Sequence, residues 1–213
     1  MSSEKESKAN PAAKQLRYTV LPDRMPRIPA DKLNAEQAAA AAAIAEGPRG
    51  GVRGPFLPLM RSPGLADPVQ KVGAYLRFGC GLDKRINEMA ALMAARHWTQ
   101  QYEWAGHMPQ ALKAGLRQSI VDAIAGGWRP EEMAADEQIT YDLITELFTN
   151  KSVSDRIYAR ATTCFGEKGV VDLLGVAGYY SMLAMIMNVA RTELKNDQPL
   201  SLDPMPQQIR RES

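Results

Sequence analysis

Three polar residues stand at intervals that a helix turns into chemistry. His107 follows Glu103 by four positions and Gln100 by seven, so an α-helix through this stretch lines their side chains along one face. An imidazole titrates near neutral pH, and a carboxylate one turn away can hold its ring in one tautomer. Glu88 lies further back, beside an apolar stripe of Ile86, Met89, Ala90 and Met93 at i, i+3, i+4 and i+7. Where the two segments fold onto each other Glu88 joins the group, and two carboxyls in one dry pocket repel until one keeps its proton. That is equipment for acid/base catalysis, with His107 as general base or acid, Glu103 as its orienter and Glu88 as a second proton carrier.

The elements that must position these residues are helices. The apolar stripe predicts one over 86–95, and Thr99 reads as the N-cap of a second, which runs from Gln100 to a stop at Gly115. Gln100 and Glu103 fall in or near its first turn, where unpaired N–H groups and the helix dipole favour negative charge. Upstream, Asn34 and Gln37 form a capping box for an alanine-rich helix at 35–46, ended by Gly47-Pro48. Five glycines and four prolines then crowd residues 47–64, a long loop whose N–H groups, with Arg53, can face an anion. Arg53 and Phe56 are its pocket candidates, although no GxxxxGK[ST] phosphate motif is present.

Asp67-Pro68 reads as a cap and first position of a helix to Phe78. Further helices are expected near 117–125, 136–148, from Ser154 or Asp155 to Phe165, and from Glu167 to about Leu194. No run of alternating β-branched residues demands a strand. The expectation is an all-α bundle of seven to eight helices, a single domain over 31–195, with a proline-punctuated arm at 1–30 and a polar tail at 196–213.

Composition narrows the partner. Hydrophobic residues at 45% and charged residues at 23% describe an ordinary globular chain. A net charge of +2 without a Lys/Arg cluster gives no sign of nucleic acid and leaves a small molecule as the expected ligand. Cys80 and Cys164 stand 84 positions apart with no CxxC, so neither a zinc site nor a redox pair is expected. Reduced thiols and an N-terminus without an apolar core segment suggest a cytoplasmic location. Three residues separate Glu103 from His107, unlike the Glu-x-x-His spacing of helical di-metal sites, and no metal is expected. Leu173–Ala190 has no formal charge over 18 residues, the lower edge of a membrane span. Asp172 precedes it and Gly175 and Gly178 interrupt it, so a helix buried in the core or between subunits is expected instead of membrane insertion.

The order Glu88, eleven residues, Gln100, two residues, Glu103, three residues, His107 resembles the signature of the carboxymuconolactone decarboxylase and alkyl hydroperoxidase D superfamily. In its peroxidase branch positions 100 and 103 would both be cysteine. The stretch YEWAGHMPQALKAGL at 102–116 is similar to the cysteine-free, decarboxylase-like branch. GPRGGVRGPFLPLMRSPGLADP at 47–68 and VSDRIYARATTCFGEKGVVDLLGVAGYYSMLAM at 153–185 extend the likeness to about three quarters of the chain. The resemblance implies an all-helical fold that assembles into trimers or hexamers, and an enzyme without a cofactor. Its substrate would be a small carboxylated, unsaturated product of aromatic ring cleavage, which is either decarboxylated or isomerised through a dienolate-like intermediate. Such an intermediate needs cations or N–H donors for its oxygen charge. Arg53, Arg85 and Arg96 are the candidates, with Phe56, Gln100, Tyr102 and Trp104 as further substrate contacts. The alternative is a ligand-binding or assembly module without turnover; a thiol peroxidase would need the absent CxxC.

Overall fold

A computed structural model describes residues 22–194 and 201–203; the rest of the expected arm and tail lies outside the described residues. Helix α1 (Ala35–Glu46) opens as its capping box dictates. Asn34 Oδ1 accepts from the Gln37 N–H at 2.8 Å and Gln37 Oε1 from the Asn34 N–H at 3.0 Å. A short helix α2 (Phe56–Leu59) closes the glycine- and proline-rich loop. Helix α3 (Pro63–Phe78) begins a turn earlier than Asp67-Pro68 suggests. Pro63 takes the first position, where a missing N–H costs nothing, and Pro68 lies inside the helix. The carbonyl that Pro68 leaves unpaired belongs to Gly64, which faces water.

Helix α4 (Lys84–His97) is the axis of the molecule. Asp83 caps it through the Arg85 N–H, and all eleven residues from Ile86 to Arg96 are buried, not the single stripe that its periodicity suggests. Ala90, Ala91, Ala94 and Ala95 keep the helix slim, so neighbours pack on every side of it. Those neighbours are α5 (Gln101–Lys113), α6 (Gln118–Gly126), α7 (Ala135–Asn150) and α8 (Asp155–Ala190).

The cap of α5 is Gln100 and not Thr99. Thr99 sits in the left-handed region at φ +48° and reverses the chain within one residue. Gln100 therefore holds the extended backbone that a cap needs, and its Oε1 accepts from the N–H groups of Tyr102 at 2.6 Å and Glu103 at 3.4 Å. Helix α5 then folds back along α4. Helix α8 is broken at Gly166 (φ 67°, ψ 168°) into the two stretches expected from the sequence, and ends at Ala190 where Arg191 turns left-handed, short of Leu194. By length and composition α8 could cross a membrane, yet 56% of its apolar window is buried inside the protein, against α4, α7 and α3. The described residues thus form eight α-helices and no strand, the all-α architecture expected.

Both ends of the described chain lie on the body. The Arg24 N–H donates to Ala190 O at 2.7 Å and Arg27 donates to Val52 O at 2.7 Å. In the C-terminal segment Leu202 is fully buried. The Gln101 amide donates to Leu202 O at 2.8 Å and accepts from the N–H groups of Ser201 and Leu202.

Candidate active site

The reversal at Thr99 lays Glu88 of α4 against His107 of α5. His107 Nδ1 is 2.6 Å from Glu88 Oε2, and the other oxygen, Oε1, is 2.5 Å from Lys84 Nζ one turn earlier on α4. Glu88 is 1% exposed. Burial favours its protonated form, but the contacts with His107 and Lys84 outweigh this and hold its carboxyl below the usual range. An ionised carboxylate only accepts, so Nδ1 carries the hydrogen and Nε2 is the nitrogen left for the cavity beyond. The Tyr180 ring packs against the imidazole in a T-shaped arrangement, with centroids 4.5 Å apart at 74°.

That cavity has a volume of about 390 Å³, and its walls come from four elements. Helix α5 contributes Tyr102, Glu103, His107 and Gln110, and α8 contributes Tyr180 and Leu183. The loop before α2 supplies Arg49 and Arg53, with Phe56 at its end, and α3 supplies Arg77 and Phe78.

Glu103 was expected to orient His107, and it does not. Helical spacing puts both on one face, but Glu88 reaches the imidazole from α4 and takes the Nδ1 position. Both oxygens of Glu103 are buried without a hydrogen-bond partner, and burial pushes its carboxyl well above the usual range. The cavity wall therefore sets an acid that burial makes reluctant to ionise beside a carboxylate-backed imidazole.

The cations of the cavity are Arg49, Arg53 and Arg77, none of which forms a salt bridge with a carboxylate among the described residues. Arg49 is fixed from two sides: its Nη2 donates to Tyr179 Oη at 2.6 Å, and its guanidinium lies 4.3 Å above the Phe56 ring. The Nε groups of Arg49 and Arg77 are buried and unpartnered. Arg53 is exposed at the rim and donates to the carbonyls of Arg49 and Gly50. Gly54 (φ +54°) lets the loop turn against α5, since a Cβ there would stand 2.4 Å from the Tyr102 ring.

Four of the residues read as substrate contacts are placed elsewhere. Arg85 pairs with Asp136 at 2.6 Å and Glu137 at 2.5 Å, tying α4 to α7, because those carboxylates of α7 meet it across the bundle. Arg96 is buried and donates to Asp203 O at 2.6 Å, held by the C-terminal segment. Gln100 is occupied as the cap of α5 and by Asn188, and Trp104 is buried in the core on another side of α5. His97 stacks on Phe148 away from the cavity, and neither Cys80 nor Cys164 lines it.

No protein-family model matches the chain, and no curated protein does. Solved structures do. An uncharacterised peroxidase-related protein from Ralstonia eutropha JMP134, with an alkylhydroperoxidase AhpD core, superposes with a TM-score of 0.66 at 14% identity, over 84% of this chain and 95% of its own. A protein of unknown function from Agrobacterium tumefaciens, suggested to be the antioxidant defence protein AhpD, superposes with a TM-score of 0.58 at 15% identity, over 65% of this chain and 96% of its own. The fold is that of AhpD-like proteins.

Within the AhpD-like frame, the polar side chains of the cavity that sequence reasoning missed are Arg49, Arg77, Gln110 and Tyr180, together with Lys84 behind it. Arg49 carried a signal, since it shares the glycine-rich loop with Arg53. Arg77 carried none, because only the packing of α3 turns it inward.

Proposed function

We propose that the protein is a cofactor-independent acid/base enzyme, a decarboxylase or double-bond isomerase, acting on a small carboxylated, unsaturated product of aromatic ring cleavage. The observation that carries this reading is the Glu88–His107 pair at 2.6 Å, behind a cavity that also holds the neutral acid Glu103. Two groups poised in opposite protonation states are what proton transfer in both directions requires.

The chemistry follows from those states. Loss of CO₂, or removal of a C–H proton by His107 Nε2, leaves an electron pair delocalised onto the substrate's carbonyl oxygen. Arg49 and Arg77, on the cavity wall, offset that charge. In isomerisation the imidazolium returns the proton to another carbon and becomes neutral again; in decarboxylation Glu103 gives its proton to carbon and takes another from solvent. Thiol peroxidase chemistry would need a thiolate, and positions 100 and 103 are a helix-capping amide and a buried acid.

The same reading takes the chain to be a cytoplasmic homo-oligomer, a trimer or hexamer. Exposed Val171, Met185 and Val189 on α8 and Val72 and Phe78 on α3 support an assembly face.

The test is to mix the protein with carboxymuconolactones and with carboxylated or methoxylated muconate-type dienoates, following ultraviolet absorbance and released CO₂. Turnover of one of them is expected, abolished in His107→Ala and reduced by about 10² to 10⁴ in Glu88→Gln. Binding of these compounds without turnover would favour a ligand-binding module on this fold.

A further inference from the structure

We propose that Lys84 is a positioning residue which holds Glu88 as an anion and thereby fixes the His107 proton on Nδ1. This rests on the acid/base reading of the cavity. Lys84 Nζ is 2.5 Å from Glu88 Oε1, and Lys84 is not part of the cavity wall, so it acts on substrate only through the pair. Its side chain is 46% exposed while that of Glu88 is 1% exposed, which makes it the link between solvent and a buried carboxylate.

Helix stability does not explain this lysine. It stands at the first position of α4, where the helix dipole disfavours a cation. It also precedes its glutamate by four residues, the weaker order for such a pair on a helix. What it does satisfy is the Glu88 oxygen that His107 leaves unpaired.

The other charged groups around Glu88 do not replace it. Glu103 from α5 is neutral, Tyr180 from α8 keeps its phenolic proton because it is buried, and Arg77 from α3 faces the cavity. Asp136 and Glu137 of α7 are engaged by Arg85. Without Lys84, Oε1 would be a buried anionic oxygen lacking a partner, only the contact with His107 would still oppose the effect of burial, and Glu88 would take up a proton more readily. A neutral Glu88 donates to Nδ1, the ring hydrogen moves to Nε2, and the cavity loses its base.

The experiment is ¹⁵N and ¹³C NMR of the free protein, with His97→Gln used to assign the two imidazoles. Wild type should show neutral His107 as the Nδ1–H tautomer, with Glu88 titrating below a normal glutamate. In Lys84→Met the Nε2–H tautomer should become the major one and the Glu88 midpoint should rise, while Lys84→Arg stays like wild type. For a compound that wild type turns over, Lys84→Met should lose at least about tenfold in kcat with KM unchanged, and Lys84→Arg should recover it. An unchanged tautomer and an unchanged Glu88 midpoint in folded Lys84→Met would overturn the proposal. The tautomer moving as described in a protein that turns over no compound would uphold the role of Lys84 and reject the enzymatic reading instead.

Discussion

Burial raises the affinity of Glu103 for its proton in the folded chain, and this makes the glutamate a pH-dependent liability for stability. In the unfolded chain its carboxyl ionises above about pH 4.3. Its folded value is raised, so the native state binds more protons than the unfolded state between the two values. Stability is then greatest below the unfolded value and falls as pH rises towards the folded one. Glu103→Gln removes that slope. It should match wild type near pH 4 and gain on it by about 1.4 kcal/mol per pH unit across the window, read by urea denaturation at a series of pH values. Glu88 has the opposite sign: its folded value is lowered, so its contribution is present at neutral pH and is lost on acidification. The sequence made the shared face of Glu103 and His107 legible, because helical spacing alone decides it. It did not reveal which carboxylate the imidazole takes, since a partner from another helix competes with the one four residues away. The arginines divide the same way. Arg85 and Arg96 near the motif are claimed by Asp136, Glu137 and Asp203, groups distant in sequence, and the cavity takes Arg49 and Arg77 instead.

At the scale of elements, α3 and α8 approach closely enough to lock Arg49 only because residue 73 is glycine. A Cβ there would stand 2.1 Å from Tyr179 Oη and 2.4 Å from Arg49 Nη2. Gly73→Ala gains up to about 1 kcal/mol of helix propensity in α3, which offsets part of the crowding. The variant should therefore lose about 1 to 2 kcal/mol net in thermal unfolding, because the buried Tyr179 ring must shift, and the displaced Arg49 should weaken substrate binding by about tenfold, the size of one charge-assisted hydrogen bond. An unaltered KM in the folded variant would show that Arg49 does not hold substrate. Helix existence was readable because caps and periodicity are local. Boundaries failed where two adjacent signals competed: Pro63 won over Pro68 as the first position of α3, and Gln100 over Thr99 as the cap of α5.

For the whole molecule, the proposed assembly makes its own prediction. Val171 and Met185 lie two heptads apart on α8 with exposed Gly178 between them, so they share one outward face. Sedimentation should find wild type as a trimer or hexamer, and Val171→Glu with Met185→Glu as a folded monomer. A wild-type monomer at micromolar concentration would reject the assembly. The all-α architecture was legible because nothing in the chain competes with the helical period, whereas quaternary structure is encoded only in which apolar residues the folded chain leaves outside.

The seats of Arg24 and Leu202 have a topological consequence. Arg24 bonds Ala190, Asn188 of the same turn bonds Gln100 and Trp98 O, and Leu202 lies under Gln101. Both ends of the described chain therefore gather at the corner where α4 passes into α5. A permutant that omits residues 1–21 and 204–213, joins positions 22 and 203 through a peptide and opens at exposed Lys151 and Ser152 cuts none of the helices that carry Glu88, Glu103 or His107.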